Sequence, residues 1–184
     1  MKPIVPSALQ ALRPQIFFGQ PYCTISQFPE HLTSIEQLPA VERNKIDDAA
    51  EFVVDSLLRP THTGGIVIAI GIRGHADQEL KNRGQARLDF EQKISEERAS
   101  RVASALNNAI RDEAYRLEAA PLPEGDPFEL VLEGVGAKML LKNHPTNDHD
   151  RALNRRVDIF FLKDWAALSR MDEFDVPPQK AFNL

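Results

Sequence analysis

From residue 46 onward the apolar positions fall on a helical spacing. Ile46, Ala49, Ala50, Val53, Val54, Leu57 and Leu58 follow the i, i+3, i+4, i+7 template that one buried helix face requires. Arg59-Pro60 predicts where that helix stops, because a proline disfavours helical geometry in the residue before it. Upstream, Ser34-x-x-Gln37 has the spacing of a capping box, and Pro39 suits a helix start. The pattern then changes. GGIVIAIGI (64–72) is an unbroken, β-branched apolar run bounded by glycine, which predicts a buried central strand.

Residues 78–93 are mostly polar, and that stretch reads as a long loop. A second helix is expected to begin near Ser95, where Glu96 and Glu97 suit the positive end of the helix dipole. Val102, Ala105, Leu106, Ala109 and Ile110 form its apolar stripe. Pro121, Pro123, Gly125 and Pro127 mark a loop. FELVLEGVG (128–136) has period-two character, and RVDIFFL (156–162) puts Val157, Ile159 and Phe161 on one face. YCTISQF (22–28) alternates moderately and supplies a first strand. The order β-α-β-α-β-β predicts an α+β fold. It is a two-layer sandwich with a mixed four-stranded sheet and both helices on one face. The expected boundaries are an irregular N-terminal arm or linker over 1–20, the domain over 21–163 and a C-terminal tail over 164–184.

Composition narrows the function classes. The 184 residues suit one domain, and 42% hydrophobic against 27% charged residues permits a real core. A net charge of −5 and a pI near 5.6 argue against nucleic acid, which needs concentrated Lys and Arg. Cys23, the single cysteine, excludes an internal disulfide framework and a multi-cysteine zinc site. No stretch approaches the ~20 apolar residues of a membrane helix. MKPIVPSALQALRPQIFFG has one early lysine but neither an unbroken apolar segment nor a small-residue cleavage site. An exported location therefore implies a longer precursor, and a cytoplasmic one is the alternative.

Several residues carry candidate chemistry. Asp77 follows a strand end, where loops on a rigid scaffold carry function; its plainer reading is a turn residue accepting backbone N–H bonds. Arg98, taken as one turn into a helix, sits where the dipole prefers anions, so its guanidinium points to an anion supplied from outside or to a surface salt bridge. His144, Asp148, His149 and Asp150 have a metal-like composition but no fixed spacing, and a solvated loop explains them better. Arg151, Arg155 and Arg156 read by default as a short solvated basic run. There is no Gly-x-Ser-x-Gly, Walker spacing or GxGxxG.

Taken in order, four segments resemble the OmpA-like family of peptidoglycan-binding domains. Gly74-His75-Ala76-Asp77 is similar to the family's GHTD. Ile94-Ser95-x-x-Arg98-Ala99-x-x-Val102 matches its LSxxRAxxV. Gly134-Val135-Gly136 is similar to its GYG, and Arg151-x-x-Asn154-Arg155-Arg156-Val157-Asp158-Ile159 to its RxxNRRVEI. The segments span about 66–160, and any one alone would be weak. Asp77 and Arg98 stand 21 positions apart, as in the longer loop of flagellar stator-type relatives. Ala76 replaces the family's threonine, and Glu91 replaces an asparagine.

The resemblance implies a non-catalytic module that binds the diaminopimelate of the peptidoglycan stem peptide and anchors an envelope assembly to the wall from the periplasm. Asp77 would accept from the ligand ammonium and Arg98 would grip its carboxylate, with backbone N–H groups of the following helix start in support. Asn154 and Arg155 would shape the pocket floor, and Glu91 would add a charge near the ligand. No catalytic residue, cofactor or metal is implied. The alternative is an OmpA-like protein-interaction module of an intracellular or secretion-system assembly that has lost wall binding. A metal-dependent hydrolase using the 144–150 loop is weaker still.

Overall fold

The computed structural model describes residues 16–17, 19–78, 83–117 and 128–165. The chain runs β1 (Cys23–Ile25), α1 (Ala40–Leu58), α2 (Pro60–Thr63), β2 (Ile66–Gly74), α3 (Gly84–Arg116), β3 (Glu129–Gly134), α4 (Asp148–Asn154) and β4 (Val157–Asp164). The four strands form one mixed sheet in the order β1-β4-β2-β3. β2 lies parallel to β3 and antiparallel to β4, while β1 pairs antiparallel with β4. This is the predicted α+β architecture, with β2 in the interior of the sheet.

The two long helices pack on one face of the sheet. Ile46, Ala49, Ala50, Val53 and Val54 of α1 and Ala99, Val102, Leu106 and Ile110 of α3 share one core with Val67, Ile70 and Ile72 of β2 and with Val157 and Ile159 of β4. Alternation along β2 is broken once, at a register shift between Val67 and Ala69. The extra residue, Ile68, is left 39% exposed, and Val67 and Ile70 both turn to the core. On the outer face a second cluster joins Ala69, Val131 and Phe160 with Ile16, and Phe17 and Leu162 pack against it. With both faces covered, β2 is apolar from Ile66 to Ile72.

Three local expectations are corrected. The second helix begins at Gly84, not near Ser95, so 84–93 is helical rather than part of a long loop. Its outer turns bury few apolar side chains and so print no stripe in the sequence; Leu88 is exposed. Ser34-x-x-Gln37 is no capping box, since Pro39 occupies the cap of α1 without a side-chain bond and Ser34 donates instead to Glu36. The 144–150 stretch also contains the start of α4, capped by Asn147 accepting from the Asp150 N–H at 2.8 Å. The expected loop around 121–127 lies outside the described residues.

Candidate functional site

The site gathers at the C-terminal end of β2, where two glycines let the sheet press on α3. A side chain on Gly74 would meet the Ser95 carbonyl oxygen at 1.9 Å. One on Gly134 would meet Glu96 Cγ at 2.4 Å and Ser95 Oγ at 2.7 Å. Ser95, fully buried, donates to the Gln92 carbonyl and accepts from the Gly136 N–H at 2.9 Å. Val135 N–H donates to the Gly74 carbonyl, and Ala76 N–H to the Gly136 carbonyl. These bonds clip the end of β3 to the residues after β2 and set Asp77 beside the middle of α3.

Asp77 is held by α4. Its Oδ1 accepts from Asn154 Nδ2 at 3.0 Å and its Oδ2 from Arg151 Nη1 at 3.1 Å, with the carboxylate side chain only 9% exposed. Arg151 and Asn154 lie three residues apart on one helical turn, so both reach the same partner. Asn154, itself fully buried, also donates to the Lys142 carbonyl and accepts from the Lys142 N–H. Asp77 is thus fixed by side chains rather than by the turn N–H groups its plainer reading invoked.

Arg98 projects from roughly four turns inside α3. Its neighbouring N–H groups belong to the helix interior, which overturns both the expected helix-start position and the expected backbone support for an anion. The side chain is 1% exposed. Nε donates to the Leu32 carbonyl at 3.1 Å, Nη1 to the His75 carbonyl at 3.0 Å and Nη2 to the Pro29 carbonyl at 3.4 Å. Its guanidinium also lies 5.4 Å from the Phe28 ring. Among the described residues Arg98 makes no ion pair. Burial first, and then the Arg155 guanidinium, push its pKa down to about 9, with the Asp77 carboxylate pulling the other way.

Arg155 and Arg156 are not a solvated run. They are 5% and 4% exposed. Arg155 donates from Nε to the Phe28 carbonyl at 2.7 Å and pairs with Asp148 at 3.1 Å. Arg156 donates to the Met139 carbonyl and approaches Asp158. Behind the site, His75 is buried with its Nε2 2.9 Å from Asp158 Oδ2, a contact that meets the distance of a hydrogen bond but not its angles. Burial lowers the His75 pKa more than Asp158 raises it.

Asp77, Arg98 and Arg155 line one narrow cleft of about 30 Å³, together with Glu30, His31, Ala76, Phe90 and Ile94. Asn154 stands behind Asp77. Opposite charges therefore face the same space without touching: Asp77 is matched by Arg151, and Arg98 only by carbonyl oxygens. Of the lip made by Glu30, His31 and Phe90, the first two lay outside every sequence segment considered, and Phe90 lies in the 78–93 stretch that reads as a loop. His31 has a left-handed φ of 58°, and its ring packs against Phe90 at 5.2 Å with the planes tilted by 52°. Glu91 is 3% exposed and within 3.6 Å of Arg87; it lines a separate groove with Gly136, Ala137 and Lys138, so it does not add its charge to the cleft. Asp150 accepts from Thr146, and no group of three or more His, Cys, Asp or Glu among the described residues could hold a metal ion.

No protein-family model and no curated protein matches the chain. Solved structures do. The peptidoglycan-associated lipoprotein from Burkholderia pseudomallei aligns at TM-score 0.49 and 16% identity, over 76% of this chain and 89% of that one. The OmpA-like domain of FopA1 from Francisella tularensis aligns at 0.47 and 19%, over 76% and 73%. The cell wall anchor of the T6SS from Pseudomonas aeruginosa aligns at 0.46 and 20%, over 77% and 80%. The likeness is one of fold: this chain resembles OmpA-like domains.

Proposed function

We propose that the cleft binds the free end of diaminopimelate in the peptidoglycan stem peptide, and that the domain anchors an envelope assembly to the wall without catalysis. The observation that carries this reading is Arg98. A guanidinium 1% exposed, bonded to neutral carbonyls and crowded by a second buried arginine, is a cation that lacks its anion. The ligand carboxylate supplies it, displacing the Pro29 carbonyl, whose 3.4 Å contact is the longest of the three. The ligand ammonium turns to Asp77, whose oxygens keep lone pairs free beyond the bonds from Arg151 and Asn154. Such binding calls on no general acid, nucleophile, cofactor or metal. Among the described residues no helix is long and apolar enough to cross a membrane.

One observation favours a second reading. The cleft is narrow and Arg98 is already engaged by the 29–32 segment, as expected of an OmpA-like protein-interaction module of an intracellular or secretion-system assembly that has lost wall binding.

Amide NMR titration with the stem tetrapeptide L-Ala-D-Glu-meso-diaminopimelate-D-Ala decides between them, with the same peptide carrying lysine as control. Lysine keeps the ammonium but lacks the carboxylate, so it leaves Arg98 without its partner. We expect shifts around residues 76, 77 and 98 with the first peptide and none with the second. Equal response to both peptides, or to neither, overturns the wall-binding reading.

A further inference from the structure

Resting on that reading, we infer that Glu30 is a specificity-determining residue, a second carboxylate that reads the ligand ammonium from the lip of the cleft. The inference follows from how the charges around the cleft are already matched. Asp77 shares its charge with Arg151 at 3.1 Å and gives an oxygen to Asn154. What remains on Asp77 for an incoming ammonium is a set of lone pairs rather than a full, unanswered charge. Arg155 is answered by Asp148. Arg98 awaits an anion. Glu30 differs from all of these: it lines the same cleft, its side chain is 66% exposed, and among the described residues its carboxylate pairs only with the neighbouring His31 at 3.0 Å.

The backbone puts this carboxylate at the lip by construction. Pro29 and Leu32 give their carbonyls to Arg98, and Phe28 gives its carbonyl to Arg155. The segment carrying Glu30 is therefore tied to Arg98, which would receive the ligand carboxylate, and to its neighbour Arg155. Gln27 and His31 take left-handed φ values of 66° and 58° on either side of it, which bends the chain over the cleft. Ala76, Phe90 and Ile94 give the cleft an apolar lining for the ligand's methylene chain. A head group whose carboxylate meets Arg98 then has its ammonium between Asp77 within the cleft and Glu30 at the mouth. Neither position discriminates against the carboxylate, because that group is gripped elsewhere.

The test compares three synthetic stem tetrapeptides in wild type, Glu30→Gln and Arg98→Lys, with affinities read by calorimetry or NMR titration. One carries meso-diaminopimelate, one α-aminopimelate (the same terminal carboxylate without the ammonium), and one lysine. Glu30→Gln is expected to weaken the diaminopimelate peptide about threefold, the size of a solvent-exposed charge contact. It should leave the α-aminopimelate peptide unchanged or slightly tighter. Arg98→Lys should weaken both. Equal weakening of both peptides by Glu30→Gln would mean that Glu30 only shapes the lip, and no weakening of either would mean that it takes no part; each result overturns the inference while the wall-binding reading stands. Failure of wild type to bind the diaminopimelate peptide overturns the two together.

Discussion

At the scale of single residues, the site is built from side chains whose structural duties and proposed binding duties are separable by substitution. Asn154 is fully buried and satisfies both the N–H and the carbonyl of Lys142 as well as Asp77. Asn154→Ala strands these partners and is expected to cost about 3 kcal/mol in urea unfolding. Asp77→Ala leaves Asn154 bonded to Lys142 and lets Arg151, 27% exposed, turn to water, so it should cost only about 1 kcal/mol while abolishing binding. His75 makes a different prediction. Burial keeps its ring neutral and its folded pKa below the ordinary value near 6.5. The unfolded chain takes up a proton that the folded one resists, so this stabilisation is present above pH 6.5 and is lost as the pH falls through the lower folded value. Urea midpoints at pH 7.5 and 5.0 should show that fall, and His75→Gln should flatten it; an unchanged slope in the variant would remove His75 from the explanation.

At the scale of elements, the strands and α1 were legible because each buries a regular apolar face. Val157, Ile159 and Phe161 on β4, and Ile46 through Val54 on α1, are where the spacing puts them. The first turns of α3 were not legible, since a helix projecting past its sheet needs no apolar stripe. Burial of Arg155 was hidden for another reason. The carbonyl that receives its Nε belongs to Phe28, 127 positions away, and no local pattern encodes that pairing. Asp77 and Arg98 stood out through their motif, whereas Glu30 and His31 came to the cleft through a loop with no motif at all, and Phe90 through helical turns whose sequence reads as loop. The motif glycines have a packing reason. Gly74→Ala sets a methyl 1.9 Å from the Ser95 carbonyl, a backbone atom that cannot step aside. We expect a loss of about 3 kcal/mol or more. Gly84→Ala meets nothing within 4 Å and pays only for its φ of +58°, about 1 kcal/mol. Comparable melting temperatures for the two variants would contradict this account of why the strand end carries glycine.

At the scale of the molecule, the sheet separates two surfaces. Helices and the cleft occupy one side and the sheet's C-terminal end at β2, while the outer face is closed by Ile16 and Phe17. Phe17 lies edge-on to Phe160 at 5.4 Å and under the Arg73 guanidinium at 4.5 Å, and Arg73 is held by Glu133 at 2.8 Å. Gly71 makes room for this contact. A side chain there would meet Ile16 Cγ2 at 2.3 Å and Phe17 at 2.9 Å, both movable side chains rather than backbone. Gly71→Ala should therefore push residues 16–17 off the sheet instead of disrupting β2. The expected loss is about 1–3 kcal/mol, the usual cost of overpacking, with faster proteolysis around residues 16–20. None of the residues lining the cleft touches this face, so affinity for the diaminopimelate stem peptide should stay within about twofold of wild type, the additivity expected of distant sites. A variant that loses both the outer-face contact and ligand affinity would show that the two sides are coupled through β2, with His75, bonded through its carbonyl to Arg98 and facing Asp158 through its ring, as the residue joining them.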